Sequence, residues 1–242
     1  MLPNTLVNKM KKQQFNPGLL GVFTNPFYHM RRQLYKSVSS FSMQLSGKIL
    51  DIGCGSKPYQ NLFTGATEYI GIDYDSPANR AHTKADVFYD GEHFPFKDGS
   101  FDSAIATEVL EHVFNPDIFL KESLRVLKDG GVLLLTCPFA WDEHSQPYDY
   151  ARYSSFGLAH LMRKNGFEIM AQQKTAGNMK ALCQILNCYI YKILPFKNYR
   201  LRVCCYLFTT APITILGSIL SLLLPQNPDY YLSNVIIVRK PN

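Results

Sequence analysis

Alternating strand and helix signals from Gly47 to about Thr175 predict an α/β fold, a doubly wound sheet with helices on both faces. Ile49-Leu50-Asp51-Ile52 reads as a short buried strand. Gly53 and Gly55 then let the backbone turn sharply and approach a ligand more closely than any Cβ allows. Tyr69-Ile70-Gly71-Ile72 is the next strand-like run and ends in Asp73, at the position from which a carboxylate takes both hydroxyls of a ribose. Together these mark a nucleoside site.

The turn does not fit a dinucleotide. A third glycine three positions after the second is replaced by Pro58, and no lysine-then-hydroxyl pair follows, which also excludes a P-loop. Lys84-Ala85-Asp86-Val87 reads as the end of a third strand, followed by the polar turn Phe94-Pro95-Phe96-Lys97-Asp98-Gly99-Ser100-Phe101-Asp102. Strand four, Ser103 to Thr107, runs into Glu108-Val109-Leu110-Glu111-His112-Val113. From Phe119 apolar residues recur at helical spacing until Gly130-Gly131 stops the helix, and Val132 to Pro138 reads as a buried fifth strand. Ser155 to Lys164 predicts a helix, Gly166 to Met170 strand six, and Val235 to Val238 strand seven.

The order of these features resembles the class I S-adenosylmethionine-dependent methyltransferases, type 11-like. Asp51-Ile52-Gly53-Cys54-Gly55 is similar to their motif I, and Pro95-Phe96 with Asp98 to Asp102 is similar to the run before their fourth strand. The resemblance covers roughly ninety residues. It implies a seven-stranded, mostly parallel sheet and S-adenosyl-L-methionine as cofactor. The implied cofactor residues are Asp51, Gly53, Cys54, Gly55, Asp73, Tyr74, Asp86, Val87, Thr107 and Glu108, with Asp86 against the adenine amino group.

Charge is uneven along the 242 residues. Residues 1–50 carry seven Lys or Arg and no acid, 51–150 carry seventeen acids against seven bases, and 151–242 carry eleven bases and two acids. Basic flanks around an acidic middle suggest that the flanks face something anionic, against the plainer reading of solvated surface charge. Nucleic acid is not expected, because the bases form no dense stripe interleaved with aromatics. Six cysteines without paired zinc spacing fit a reduced, cytoplasmic setting, and no signal peptide is expected at Met1-Leu2-Pro3-Asn4-Thr5.

Residues 1–46 read as a basic arm with a helix from Phe27 to Leu45, a candidate lid or a helix packed on the sheet edge; 47–242 read as the catalytic domain. Within it, about 177–228 form an insertion far longer than a normal strand connection. Leu182, Ile185, Leu186, Tyr189, Ile190, Ile193 and Leu194 share a helical face, and Val203 to Pro225 holds no charge. Two helices are expected, about 178–195 and 203–224. A single membrane crossing would strand strand seven, so the hairpin is expected to cover the substrate, form a homodimer interface, or dip into one leaflet at the inner face of a membrane beside Lys192, Lys197, Arg200 and Arg202.

Ligands in open α/β sheets lie beyond the carboxyl ends of the strands, which directs attention to the loop Phe139 to Tyr153. Its His144, Pro147, Asp149, Arg152 and Tyr153 resemble a segment of bacterial methyltransferases of surface-polysaccharide and related glycan biosynthesis. His144 is the first candidate base and His112 the second; the plainer roles are loop fixation through Asp149 and Arg152, and helix capping. Trp141, Asp149, Arg152 and Tyr153 are candidate acceptor contacts. Adjacent Asp142, Glu143 and His144 rarely all converge on one ion, so no metal is expected. Three functions follow: methylation of a hydroxyl on a sugar or glycan precursor, lipid-linked or free; methylation of a lipid or isoprenoid quinone at a membrane surface; or a non-catalytic cofactor-binding scaffold.

Overall fold

The computed structural model describes residues 13–196 and 198–242; the first twelve residues of the expected arm and Lys197 lie outside the described residues. Seven strands form one sheet: β1 (Gly47–Ile52), β2 (Ala66–Tyr74), β3 (Val87–Tyr89), β4 (Phe101–Thr107), β5 (Leu127–Pro138), β6 (Glu168–Thr175) and β7 (Ser233–Arg239). Their order is β3-β2-β1-β4-β5-β7-β6. The pairs β1–β2, β1–β4, β2–β3 and β4–β5 are parallel, and β7 runs antiparallel to the rest. Strand order reverses between β1 and β4, where Ile52 lies opposite Ala106, and a crevice opens at such a switch point.

The helices are α1 (Tyr28–Phe41), α2 (Pro77–His82), α3 (Pro116–Val126), α4 (Ser155–Lys164), α5 (Met179–Ile193), α6 (Tyr199–Phe208) and α7 (Thr210–Leu223), after a helical turn at Gly21–Thr24. Caps follow from local chemistry. Ser76 and Ser154 accept hydrogen bonds from the amides of Asn79 and Gly157 at the starts of α2 and α4, and Pro116 opens α3, where its missing N–H costs nothing.

The residues gather in two compact units. One comprises 37–139, 143–173 and 234–242. Its core holds Leu50, Ile52, Ile72, Ala104, Leu133, Leu135, Ile236 and Val238 from the sheet with Phe119, Leu120, Leu158 and Met162 from α3 and α4. Burial on both faces explains why these strands read as continuous apolar runs.

The other comprises, among the described residues, 13–36, 140–142, 174–196 and 198–233. Here α5 buries Ala181, Cys183, Gln184, Asn187 and Cys188, and α7 buries Thr210, Ala211, Thr214, Gly217 and Ser221. A Cβ on Gly217 would stand 2.7 Å from that of Cys183, so the two backbones come close only because glycine is there. Asn187 bonds Thr214 across the seam at 2.9 Å, and Gln184 accepts the His29 amide at 3.0 Å and donates to the Pro26 carbonyl at 2.7 Å. The leucines and isoleucines point the other way: Leu182, Ile185, Leu186, Ile193, Ile215, Leu216, Ile219, Leu222 and Leu223 are exposed. Small and polar residues form the seam, and the apolar ones face outward.

Two element boundaries differ from expectation. The uncharged helix divides into α6 and α7 with a bend of 42°. Pro212 lacks an N–H, and its ring crowds the carbonyl of Phe208, where α6 ends. Helix α3 stops at Val126, ahead of the glycines, because Leu127 already pairs with Phe101 and β5 starts there. Gly130, at φ +73°, and Gly131 then join β7 through hydrogen bonds with Lys240. No single helix among the described residues is long and apolar enough to cross a membrane; α6 and α7 together pass that test only as a bent pair.

Candidate active site

The turn after β1 is shaped by two glycines with different surroundings. Gly53 has φ +65°, and a Cβ there would meet Val109 Cγ2 at 2.5 Å. Gly55 has φ +49°, and a Cβ there would meet nothing within 4 Å. The first glycine is required by packing, while the second borders open space.

Asp73, penultimate in β2, locks this turn in place. Its Oδ2 accepts the Gly55 amide at 3.1 Å, and its Oδ1 accepts the Tyr74 amide at 2.9 Å and Asn79 Nδ2 at 3.0 Å. Burial raises its carboxyl above the usual range despite the two backbone donors. Asp51 lies inside the sheet and accepts the Tyr69 hydroxyl at 2.8 Å. Burial pushes its carboxyl up to about 7 and the neighbouring Cys54 thiol up to about 12.

Asp86 is not at the end of the third strand. It precedes β3, where its Oδ2 accepts the Gly71 amide at 2.7 Å and pairs with Lys57. Val87 is the first residue of that strand, not the last. The acid at the carboxyl end is Asp90, whose Oδ1 accepts the amides of Glu92 and His93 at 2.8 and 2.7 Å. A Cβ on Gly91, at φ +94°, would come within 3.2 Å of the Tyr74 ring, so Tyr74 and the Asp90 turn share this corner. The signal for Asp90 was the Asp-Gly turn just before Phe94-Pro95-Phe96.

Strand β4 ends at Thr107, and Glu108 adopts φ +54°. Its amide donates to the Thr136 carbonyl at 3.1 Å, and its Oε1 accepts the Thr136 hydroxyl at 2.8 Å. A 3₁₀ turn over Leu110–His112 follows and buries Glu111 completely. The loop after β5 folds onto that turn: the amides of Tyr150 and Ala151 both donate to the Glu111 carbonyl, at 2.8 and 3.3 Å.

This brings His144 to His112, with ring centroids 4.7 Å apart. Each Nε2 faces Glu111 Oε1, at 3.8 Å from His112 and 3.9 Å from His144. His112 Nδ1 donates to the Tyr148 carbonyl at 2.6 Å. His144 presents Nδ1 to Asp149 Oδ2 at 3.4 Å, and its amide donates to the same oxygen at 2.9 Å. Arg152 grips Asp149 with both terminal nitrogens, at 2.6 and 2.7 Å, and chiefly for that reason the Asp149 carboxyl falls to about 2. Burial, reinforced by the Glu108 charge, holds the Glu111 carboxyl well above its ordinary value. The Tyr153 carbonyl accepts Asn234 Nδ2 at 2.7 Å, tying the loop's end to β7.

Asp142 and Glu143 do not join the histidines. In the other unit Asp142 pairs with Lys192 at 2.6 Å, while Glu143 accepts Gln146 at 3.2 Å. Trp141 belongs to the same unit as Phe27, with ring centroids 6.0 Å apart. The member that sequence reasoning missed is Glu111, which it had read only as the neighbour of His112.

A family model described as a methyltransferase domain matches residues 50–135, from β1 through most of β5. That segment is a methyltransferase domain of the class I S-adenosylmethionine-dependent kind. Members of this family use S-adenosyl-L-methionine as their methyl donor. The chain is 30% identical over 134 residues to a probable S-adenosylmethionine-dependent methyltransferase of Mycolicibacterium smegmatis, covering 50% of this chain and 52% of the relative. It is 31% identical over 115 residues to a fatty-acid O-methyltransferase of the same organism, covering 43% and 42%. The match thus spans about half the length of these curated relatives. Among solved structures, the [4+2]-cyclase SpnF superposes with a TM-score of 0.57 at 21% identity, covering 86% of this chain and 80% of that one, a likeness of fold.

Proposed function

We propose that this chain transfers the methyl group of S-adenosyl-L-methionine to a hydroxyl of a sugar or glycan precursor carried on a lipid. The observation that supports it most is the junction of Glu111, His112 and His144, which gathers proton-accepting groups beyond the carboxyl ends of β4 and β5, on the same side of the sheet as the Gly53–Gly55 turn. Asp73 takes the ribose hydroxyls, Gly53 and Gly55 border the amino-acid end, and Asp90, in place of Asp86, faces the adenine amino group from the end of β3.

The transfer is an in-line displacement. The acceptor oxygen forms a bond to the methyl carbon, the carbon–sulfur bond breaks with its electron pair going to sulfur, and the hydroxyl proton passes to a base. His144 suits that role because Asp149 meets its Nδ1 and orients the ring. Arg152 and Tyr153 hold the acceptor loop.

A lipid or quinone acceptor is the second reading. It draws on the 31% identity to a fatty-acid O-methyltransferase and on the outward leucines of α5 and α7. A small-residue seam with apolar faces outside suits helices lying against lipid. The retained glycine turn with Asp73 weighs against a scaffold without catalysis. Calorimetric titration with S-adenosyl-L-methionine, followed by a screen of glycan, lipid and small-molecule acceptors for the demethylated product, tests the proposal. Absence of cofactor binding overturns it.

A further inference from the structure

We propose that Glu111, His112 and His144 bind a divalent transition-metal ion, of the zinc or iron(II) class, through Oε1 of the glutamate and Nε2 of both histidines. One ligand atom from each residue lies within 4.8 Å of the other two. An ion held at about 2.0–2.2 Å by each ligand keeps any two of them no more than about 4.2 Å apart. The carboxylate–imidazole separations of 3.8 and 3.9 Å already meet that limit. The two rings are part-exposed side chains and can close the remaining few tenths of an ångström.

Glu111 supplies the independent observation. It is fully buried, and neither carboxylate oxygen has a hydrogen-bond donor among the described residues. A buried carboxylate is costly unless paired, hydrogen-bonded or bound to a metal. The imidazole nitrogens stand beyond hydrogen-bond distance, so they do not satisfy it as placed. Glu108 adds a second negative charge to the neighbourhood, which favours a cation further.

The histidines are prepared as ligands. A carbonyl oxygen only accepts, so the Tyr148 contact places the His112 proton on Nδ1 and leaves the Nε2 lone pair facing Glu111. The Asp149 carboxylate stands 3.4 Å from His144 Nδ1, and Arg152 fixes Asp149 from behind. Carboxylate or carbonyl behind each ligating imidazole is the outer arrangement that metal-binding histidines use. Two imidazoles and one carboxylate suit zinc, iron(II) or cobalt over magnesium, which prefers oxygen alone. A bound ion would act as a Lewis acid toward an oxygen ligand at the positions left open. His144 would then hold the ion instead of taking the proton itself.

The site shares Glu111, His112 and His144 with the methyl-transfer reading, and the experiment separates the two by measuring metal binding without cofactor. Metal-stripped protein is titrated without cofactor, with Zn²⁺ by calorimetry, Co²⁺ by visible absorption, and Mg²⁺ for comparison. The expected result is one equivalent of Zn²⁺, cobalt bands of imidazole ligation, and far weaker Mg²⁺ binding. Glu111→Gln, His112→Ala and His144→Ala should each weaken Zn²⁺ binding about 100-fold or more. Asp149→Asn, acting behind the ligand, should cost about 10–100-fold. His160→Ala, at an exposed position on α4, should change nothing. Thermal melts with and without Zn²⁺ provide a second readout: the ion should raise the melting temperature of the parent and leave that of Glu111→Gln unmoved. Substoichiometric binding, or ligand variants that bind Zn²⁺ as the parent does, overturns the metal site even if the protein binds S-adenosyl-L-methionine. One equivalent bound by a protein that ignores the cofactor supports the metal site and refutes the methyl-transfer reading alone.

Discussion

Replacing each glycine of the β1 turn by alanine should produce two different defects. Both positions lie at positive φ, where an L-residue costs about 1–2 kcal/mol. At Gly53 the new methyl also falls 2.5 Å from Val109 Cγ2, and overpacking of that kind adds about 1–3 kcal/mol. Gly53→Ala should therefore lose about 2–5 kcal/mol of stability. Gly55→Ala should lose only about 1–2 kcal/mol, because its methyl enters open space. If that space receives the cofactor, Gly55→Ala should pair nearly normal stability with weakened S-adenosyl-L-methionine binding, about tenfold for each 1.4 kcal/mol of binding free energy lost. Urea unfolding gives the first quantity and calorimetry the second. A Gly55→Ala protein that binds the cofactor as tightly as the parent would show that the open space is not its site.

Asp73→Ala removes a charged hydrogen-bond acceptor and should weaken cofactor binding by roughly 1.5–3 kcal/mol; unchanged affinity would remove Asp73 from the ribose. Asp51 should make stability fall with rising pH. Its carboxyl keeps a proton to about pH 7 when folded and loses it near 3.8 when unfolded, so its contribution is complete below pH 3.8 and lost by about pH 7. The span corresponds to about 4 kcal/mol, and Asp51→Asn should flatten the unfolding free energy measured across that range. The exposed leucines of α5 and α7, with Arg200 and Arg202 beside them, should carry the protein into the pellet with anionic liposomes at low salt and release it at high salt. Protein that stays in the supernatant at low salt would refute the membrane contact.

The parts legible in the sequence are those that one short segment determines. The glycine turn, the acid at the end of β2 and the break at Pro58 are local, and the buried runs of β1, β4 and β5 read as strands because both faces are covered. Asp86 and Asp90 flank a strand of only three residues, Val87 to Tyr89, and an acid on either side of so short a run gives the same pattern. The outward leucines of α5 have the periodicity of an ordinary packed face, and only the partners of Gln184 and Asn187 show which face is inside. Glu111 escaped notice because burial makes it chemically unusual, and that burial depends on a loop supplied from beyond β5.

The place of β7 between β5 and β6 has a consequence for biosynthesis. The chain emerges from the amino end at about 5–20 residues per second, and the strand that joins those two edges is the last of the seven to appear. Until Ser233 to Arg239 leave the ribosome, two rows of backbone donors and acceptors stand open beside long apolar helices, the circumstance in which strands pair with the wrong neighbour. A stop codon ahead of residue 233 would therefore yield an aggregating chain instead of a smaller enzyme. Chaperone demand in the cell should be greatest between the emergence of β6 and that of β7.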